Sequence, residues 1–190
     1  VVSALAASVS AYTVLLTLLV ACGEHLSKPA ALSTALAAHR VVPAPSTVAA
    51  VVIATEGLLG AAGVVALLRD DGGRLLGVVL AGSVALLAMY AGYGLYVRST
   101  GRAVPCGCSR VDLPMTGWVV ARASTLAGMA LVGSLLSGSV MPVRQAGTSF
   151  AIVLLAAATF TALLTHLPAA MYDPTPDQPP AGLEQGGVPG

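Results

Sequence analysis

Two of the chain's three cysteines stand one residue apart, in Pro105-Cys106-Gly107-Cys108-Ser109. A thiol pair at that spacing suits disulfide exchange or the binding of a soft metal ion. A pair of inert loop cysteines is the third reading. Gly107 lets the backbone take positive φ and bring the two sulfurs together. A disulfide closing so small a ring is strained, and strained disulfides are the labile, oxidising ones. Arg102 and Arg110 flank the pair, with Asp112 as the nearby opposing charge. Neighbouring cations favour the thiolate, which is the reactive form of a cysteine.

Other residues extend this chemistry. Cys22 is either a small apolar residue ending a helix or a third thiol, able to attack a Cys106–Cys108 disulfide and relay electrons. Cys22, His25, Cys106 and Cys108 together make a soft sulfur and nitrogen set suited to Cu(I) or Zn. No Cys-x-x-Cys pair supports a structural zinc site, however. Glu56 lies in an apolar stretch, about ten residues or roughly 15 Å into a helix starting near Ser46. An ionisable group there costs roughly 2.5–3.5 kcal/mol and normally faces a partner inside the bundle. Arg122 is the expected partner; a structural ion pair and a proton-handling carboxylate both fit. Tyr90, Tyr93 and Tyr96 read as an aromatic belt or, less simply, a ring-lined cofactor pocket. His39 and His166 read as interfacial.

The elements that must position these groups are membrane helices. Hydrophobic residues make up 56% of the 190 residues and charged ones 9%, against about a quarter charged in soluble domains. The chain is therefore expected to be an all-α integral membrane bundle in a lipid bilayer. A net charge of +1 with no dense basic cluster argues against nucleic acid. Five apolar stretches approach the roughly 20 residues a crossing needs. They run from about Val2 to Cys22, Thr47 to Leu68, Leu75 to Val97, Gly117 to Ser137 and Thr148 to Leu167. The fourth is interrupted by Arg122, Ser124 and Thr125, so four to five crossings are expected. Ser124-x-x-x-Gly128 and Gly57, Gly60 and Gly63 suit close helix packing. Between the first two stretches, Pro29 to His39 is too short to cross and reads as a short interfacial helix, stopped by Val42-Pro43-Ala44-Pro45. Residues 1–168 form the bundle, and the Pro-rich, acidic 169–190 tail is expected to be disordered.

Five crossings put Cys22, the Glu24–Ser46 connection, the Cys-Gly-Cys loop and the C-terminal tail at one face. The basic residues vote weakly for a cytoplasmic cysteine face, whereas a persistent disulfide favours the exoplasmic side. We expect the exoplasmic side.

Several of these residues carry a resemblance. Lys28-Pro29 after the first helix, Val42-Pro43 closing the next connection, Glu56-Gly57-Leu58-Leu59 opening the second helix, and Pro105-Cys106-Gly107-Cys108-Ser109 before a helix bearing Arg122 together resemble the MauE family. These are methylamine-utilisation membrane proteins grouped with DoxX-type redox-associated proteins. The resemblance runs from about Ala4 to Leu164, with Ser109-Arg110 where family members usually carry Phe-Gly. It implies a bacterial-type cell (plasma) membrane protein built like membrane disulfide-generating enzymes. It also implies an exoplasmic thioredoxin-like or disulfide-containing partner that attacks the Cys106–Cys108 disulfide. A membrane acceptor such as a quinone then reoxidises the pair, with Glu56 taking protons. A metal-handling membrane protein and a structural subunit of a larger membrane complex are the alternatives.

Overall fold

The computed structural model describes residues 2–69, 72–100, 116–144 and 147–171. Six α-helices follow one another: α1 (Val2–Ser27), α2 (Pro29–His39), α3 (Pro45–Leu68), α4 (Arg74–Ser99), α5 (Gly117–Leu135) and α6 (Thr148–Ala170). A single 3₁₀ turn, Ser137–Ser139, lies between α5 and α6. All except α2 are long and apolar enough to cross a membrane. The chain is an all-α integral membrane bundle, and the fourth stretch is a full helix despite Arg122. The 169–190 tail falls outside the described residues beyond Met171.

α1 is the central helix. More than half of its apolar window is buried (56%), whereas no other span exceeds 39%. It packs against α3, α5 and α6, and α4 packs most extensively on α5. Ala7, Ala11, Val14, Leu15 and Leu18 of α1 lie in the core with Leu80 of α4, Ala130 of α5 and Val153 and Ala157 of α6.

The contact between α1 and α3 is made by glycine. A Cβ on Gly60 would stand 2.7 Å from Leu19 Cδ2, and one on Gly57 would stand 3.1 Å from Cys22 Sγ. On Gly63 it would collide with the Leu15 side chain. The three glycines form a groove along one face of α3, into which Leu15, Leu19 and Cys22 insert. Their pairing order makes the two helices antiparallel. This is small-residue packing as expected from the sequence. Ser124 and Gly128 behave otherwise: both are exposed, and nothing approaches Gly128 within 4 Å. α5 instead packs through Val120, Leu126, Ala130 and Gly133.

The far end of the bundle is held by polar ties to the α5–α6 connection. Tyr12 Oη donates to the Met141 carbonyl at 3.0 Å, and Met141 N–H donates to Ser8 Oγ at 2.9 Å. The α3–α4 turn sits there too. Gly73 holds φ 81° and abuts the Ser137 carbonyl so closely that a Cβ would overlap it.

At the opposite end, α1 continues past Cys22 to Ser27, so Glu24 and His25 are helical rather than loop residues. Pro29 then begins α2: it lacks an N–H and restricts the residue before it, which separates the two helices at Lys28. α2 ends at His39, where Arg40 turns left-handed at φ 55°. Leu32 and Leu36 of α2 pack on Ala49, Val48, Val52 and Ile53 of α3 and on Tyr93 of α4. α2 thus covers α3 just beyond the end of α1. His39 is buried within the protein and bonds to Tyr93 Oη through Nδ1 at 2.8 Å. His166 is exposed near the end of α6.

The glycine groove makes a direct prediction. Gly60→Leu will lower the unfolding free energy in detergent by about 1–3 kcal/mol or more, the usual overpacking cost. Gly128→Leu will leave it nearly unchanged. A thermal unfolding series read by thiol-reactive dye compares the two.

Candidate functional site

The α1–α3 contact brings the chemistry together. With Cys22 on Gly57, its thiol donates to the Ile53 carbonyl at 3.7 Å, a normal sulfur hydrogen-bond length. Three residues further along α1, His25 falls on the same face. There it meets Glu56, the residue preceding Gly57. His25 Nε2 lies 3.7 Å from Glu56 Oε2.

Glu56 is 2% exposed. It stands eleven residues after Pro45, the first residue of α3 (56 − 45 = 11), or about 16 Å along the axis. It is therefore near the middle of its helix, not at its opening. Such a group must be compensated from the bundle interior. Tyr90 Oη, from α4, donates to Oε1 at 2.9 Å. Oε2 has no hydrogen-bond partner and is turned toward His25. Arg122 of α5 is within electrostatic range of both Glu56 and His25. The expected Glu56–Arg122 pair thus takes another form. The carboxylate is in contact with Tyr90 and His25, and Arg122 acts on it through space.

Four helices therefore meet at one buried acid: α3 supplies it, α1 and α4 touch it, and α5 adds a positive field. Alongside lies the His39–Tyr93 bond, with Tyr93 one turn beyond Tyr90. The tyrosines divide accordingly. Tyr90 and Tyr93 turn their hydroxyls to inward partners, while Tyr96 is 56% exposed, as a belt residue would be.

Cys106 and Cys108 lie outside the described residues, as do Arg102, Arg110 and Asp112. The helix ends that flank them are described. The Arg98 guanidinium, at the end of α4, lies against Gly117, the first residue of α5, at 3.1 Å from a Cβ built there. Both attachment points of the cysteine segment therefore lie at the Cys22 end of the bundle. Among the described residues, no three His, Cys, Asp or Glu side chains are arranged to hold a metal ion. Of the metal set considered from sequence, Cys22 and His25 come together on one helix face.

Sequence reasoning found Glu56, Cys22 and Arg122 but missed two partners. From sequence His25 reads as a metal ligand beside a helix end, and Tyr90 as a belt or cofactor-pocket residue, neither as a partner of Glu56. Helical spacing was the available signal: Cys22 and His25, like Tyr90 and Tyr93, are three residues apart.

A family model described as "Methylamine utilisation protein MauE" matches residues 3–137. The match takes in α1 to α5, with Glu56, Arg122 and both loop cysteines, and stops before α6. No curated protein and no solved structure matches the chain. The chain belongs to the MauE family.

The buried acid predicts its own mutational signature. Tyr90→Phe leaves Oε1 of a buried carboxylate without its donor and will cost about 1–3 kcal/mol of stability. Tyr96→Phe, at an exposed position, will stay within about 0.5 kcal/mol of wild type. Thermal unfolding of the two variants side by side tests the difference.

Proposed function

We propose that this protein is a membrane thiol–disulfide exchange protein that supports disulfide formation in an exoplasmic partner through Cys106 and Cys108. The observation that carries the reading is an acid–base cluster, Cys22–His25–Glu56–Tyr90, built on the buried Glu56 at the end of the bundle where the helix ends flanking the Cys-Gly-Cys segment meet. Membership of the MauE family gives the protein a methylamine-utilisation context, in which a membrane protein of this kind would serve a partner enzyme.

In this mechanism a thiolate of a reduced, thioredoxin-like partner attacks one sulfur of the Cys106–Cys108 disulfide. The old S–S bond breaks and a mixed disulfide forms. The partner's second thiol then attacks the mixed disulfide, leaving the partner oxidised and Cys106 and Cys108 as two thiols. Two electrons and two protons have entered the chain. Restoring the disulfide needs a two-electron acceptor, and a quinone in the bilayer would supply that chemistry, taking up two electrons and two protons. Cys22 is the thiol available to carry electrons between loop and bundle, and Glu56 is the carboxylate available for protons. The protein then belongs in the cell membrane of a bacterial-type cell, cysteine face outward.

Replacing one loop cysteine stalls the exchange halfway. With Cys106→Ser or Cys108→Ser, one variant will accumulate a reductant-sensitive adduct with its partner, seen on non-reducing gels and identified by mass spectrometry. The double variant will show none. If neither single variant forms an adduct, and alkylation finds the pair permanently oxidised, the cysteines are a static staple. Glu56→Gln, which keeps shape but cannot take up the proton, will slow reoxidation of the pair by about a hundredfold, a typical loss for general acid–base catalysis.

A further inference from the structure

The cluster around Glu56 has a direction. Glu56 Oε1 is bonded to Tyr90 Oη at 2.9 Å, which fixes the carboxylate and leaves Oε2 as its free edge. That edge faces His25 Nε2 at 3.7 Å. The Glu56 side chain is 3% exposed and that of His25 is 12% exposed. His25 sits near the end of α1, two residues before its last residue, Ser27. From the buried oxygen outward, the next titratable group is therefore the imidazole, and the imidazole reaches the end of the bundle. At 3.7 Å the two atoms stand just outside hydrogen-bond length, so a small side-chain rotation brings Oε2 and Nε2 within reach of proton transfer.

We propose that His25 and Glu56 form a proton relay, in which the imidazole carries protons between the buried carboxyl and the Cys22 end of the bundle. The proposal rests on the thiol–disulfide reading only for its purpose, the movement of protons to and from the cysteine end as thiols and disulfide interconvert. In the outward step the O–H bond at Oε2 breaks and an N–H bond forms at Nε2, giving glutamate and imidazolium. The imidazolium then loses its Nδ1 proton to water at the membrane face. One proton leaves, and no electron moves. Tyr90 is a positioning residue: it donates to Oε1 and so keeps Oε2 turned to His25. The other groups acting on the pair are Cys22 and Glu24 from α1 and Arg122 from α5. Arg122 reaches both members, so the proton travels within one positive field.

The test is hydrogen–deuterium exchange at the Glu56 carboxyl, read by infrared spectroscopy on the full chain in lipid nanodiscs across a pH series. The Glu56 band is the carboxyl C=O band that Glu56→Gln removes. In wild type it will shift within the mixing time on transfer to D₂O. In His25→Gln the shift will be slower by about a hundredfold, the usual scale of a lost acid–base group. In His25→Ala, added imidazole will restore the rate, which a purely structural role would not allow. Tyr90→Phe will raise the band frequency, reporting the lost hydrogen bond. The relay is overturned if His25→Gln exchanges as fast as wild type, if imidazole fails to rescue His25→Ala, or if no Glu56-dependent carboxyl band appears at any pH. The same measurement on a chain carrying Cys106→Ser and Cys108→Ser separates the two readings. Exchange that survives there, with no partner adduct in either single cysteine variant, leaves the relay standing without the thiol function. An adduct with unaltered exchange in His25→Gln does the reverse.

Discussion

The structure turns on how closely α1 can approach α3. Leu15, Leu19 and Cys22 enter a groove that exists only because residues 63, 60 and 57 have no side chain. Within a membrane there is no hydrophobic gain from helix association, because lipid is as apolar as leucine. Tight van der Waals packing must supply the difference. The groove does so and also sets the rotation of α1 about its axis. With Cys22 on Gly57, the next turn of α1 can present His25 only to Glu56.

That rotation explains how the bundle tolerates a carboxyl halfway along a membrane helix. Water is absent there, so each oxygen depends on neighbouring side chains. α4 meets one oxygen with the Tyr90 hydroxyl, and α1 brings the His25 ring toward the other. Arg122 adds a positive charge from α5 without a direct contact. Low dielectric strengthens each of these interactions and makes an unpartnered oxygen correspondingly expensive. An acid kept under those conditions, with one edge unbonded, is better explained by a task than by stability.

α2 closes the arrangement. α3 extends beyond the end of α1, and α2 fills the space that would otherwise expose Ile53 and Tyr93. Ile53 serves both layers: its side chain packs on α2 and its carbonyl receives the Cys22 thiol. The His39–Tyr93 bond then ties the last residue of α2 to α4. The acid–base cluster is thereby enclosed by protein at the same end of the bundle where the cysteine segment is anchored.

Much of this was legible locally. The five spans, and α2 from Pro29 to His39, follow from apolar length, from prolines that cannot continue a helix, and from an ionisable residue too costly to face lipid. Those properties belong to each segment alone. The sequence also determined that Cys22 and the helix ends flanking the cysteine loop share an end, because five antiparallel helices impose parity. What it did not determine was which residues touch. Arg122 was the natural partner for Glu56 by charge and depth, yet Tyr90 and His25 are the groups in contact. His39 showed no partner in the sequence and is bonded to Tyr93. Ser124 and Gly128 looked like a packing motif and are exposed. Each of these depends on the rotation of one helix against another, and rotation is settled by the fit of Leu15, Leu19 and Cys22 into a glycine groove on a helix some thirty to fifty residues away in the chain. Only the tertiary structure contains that fit.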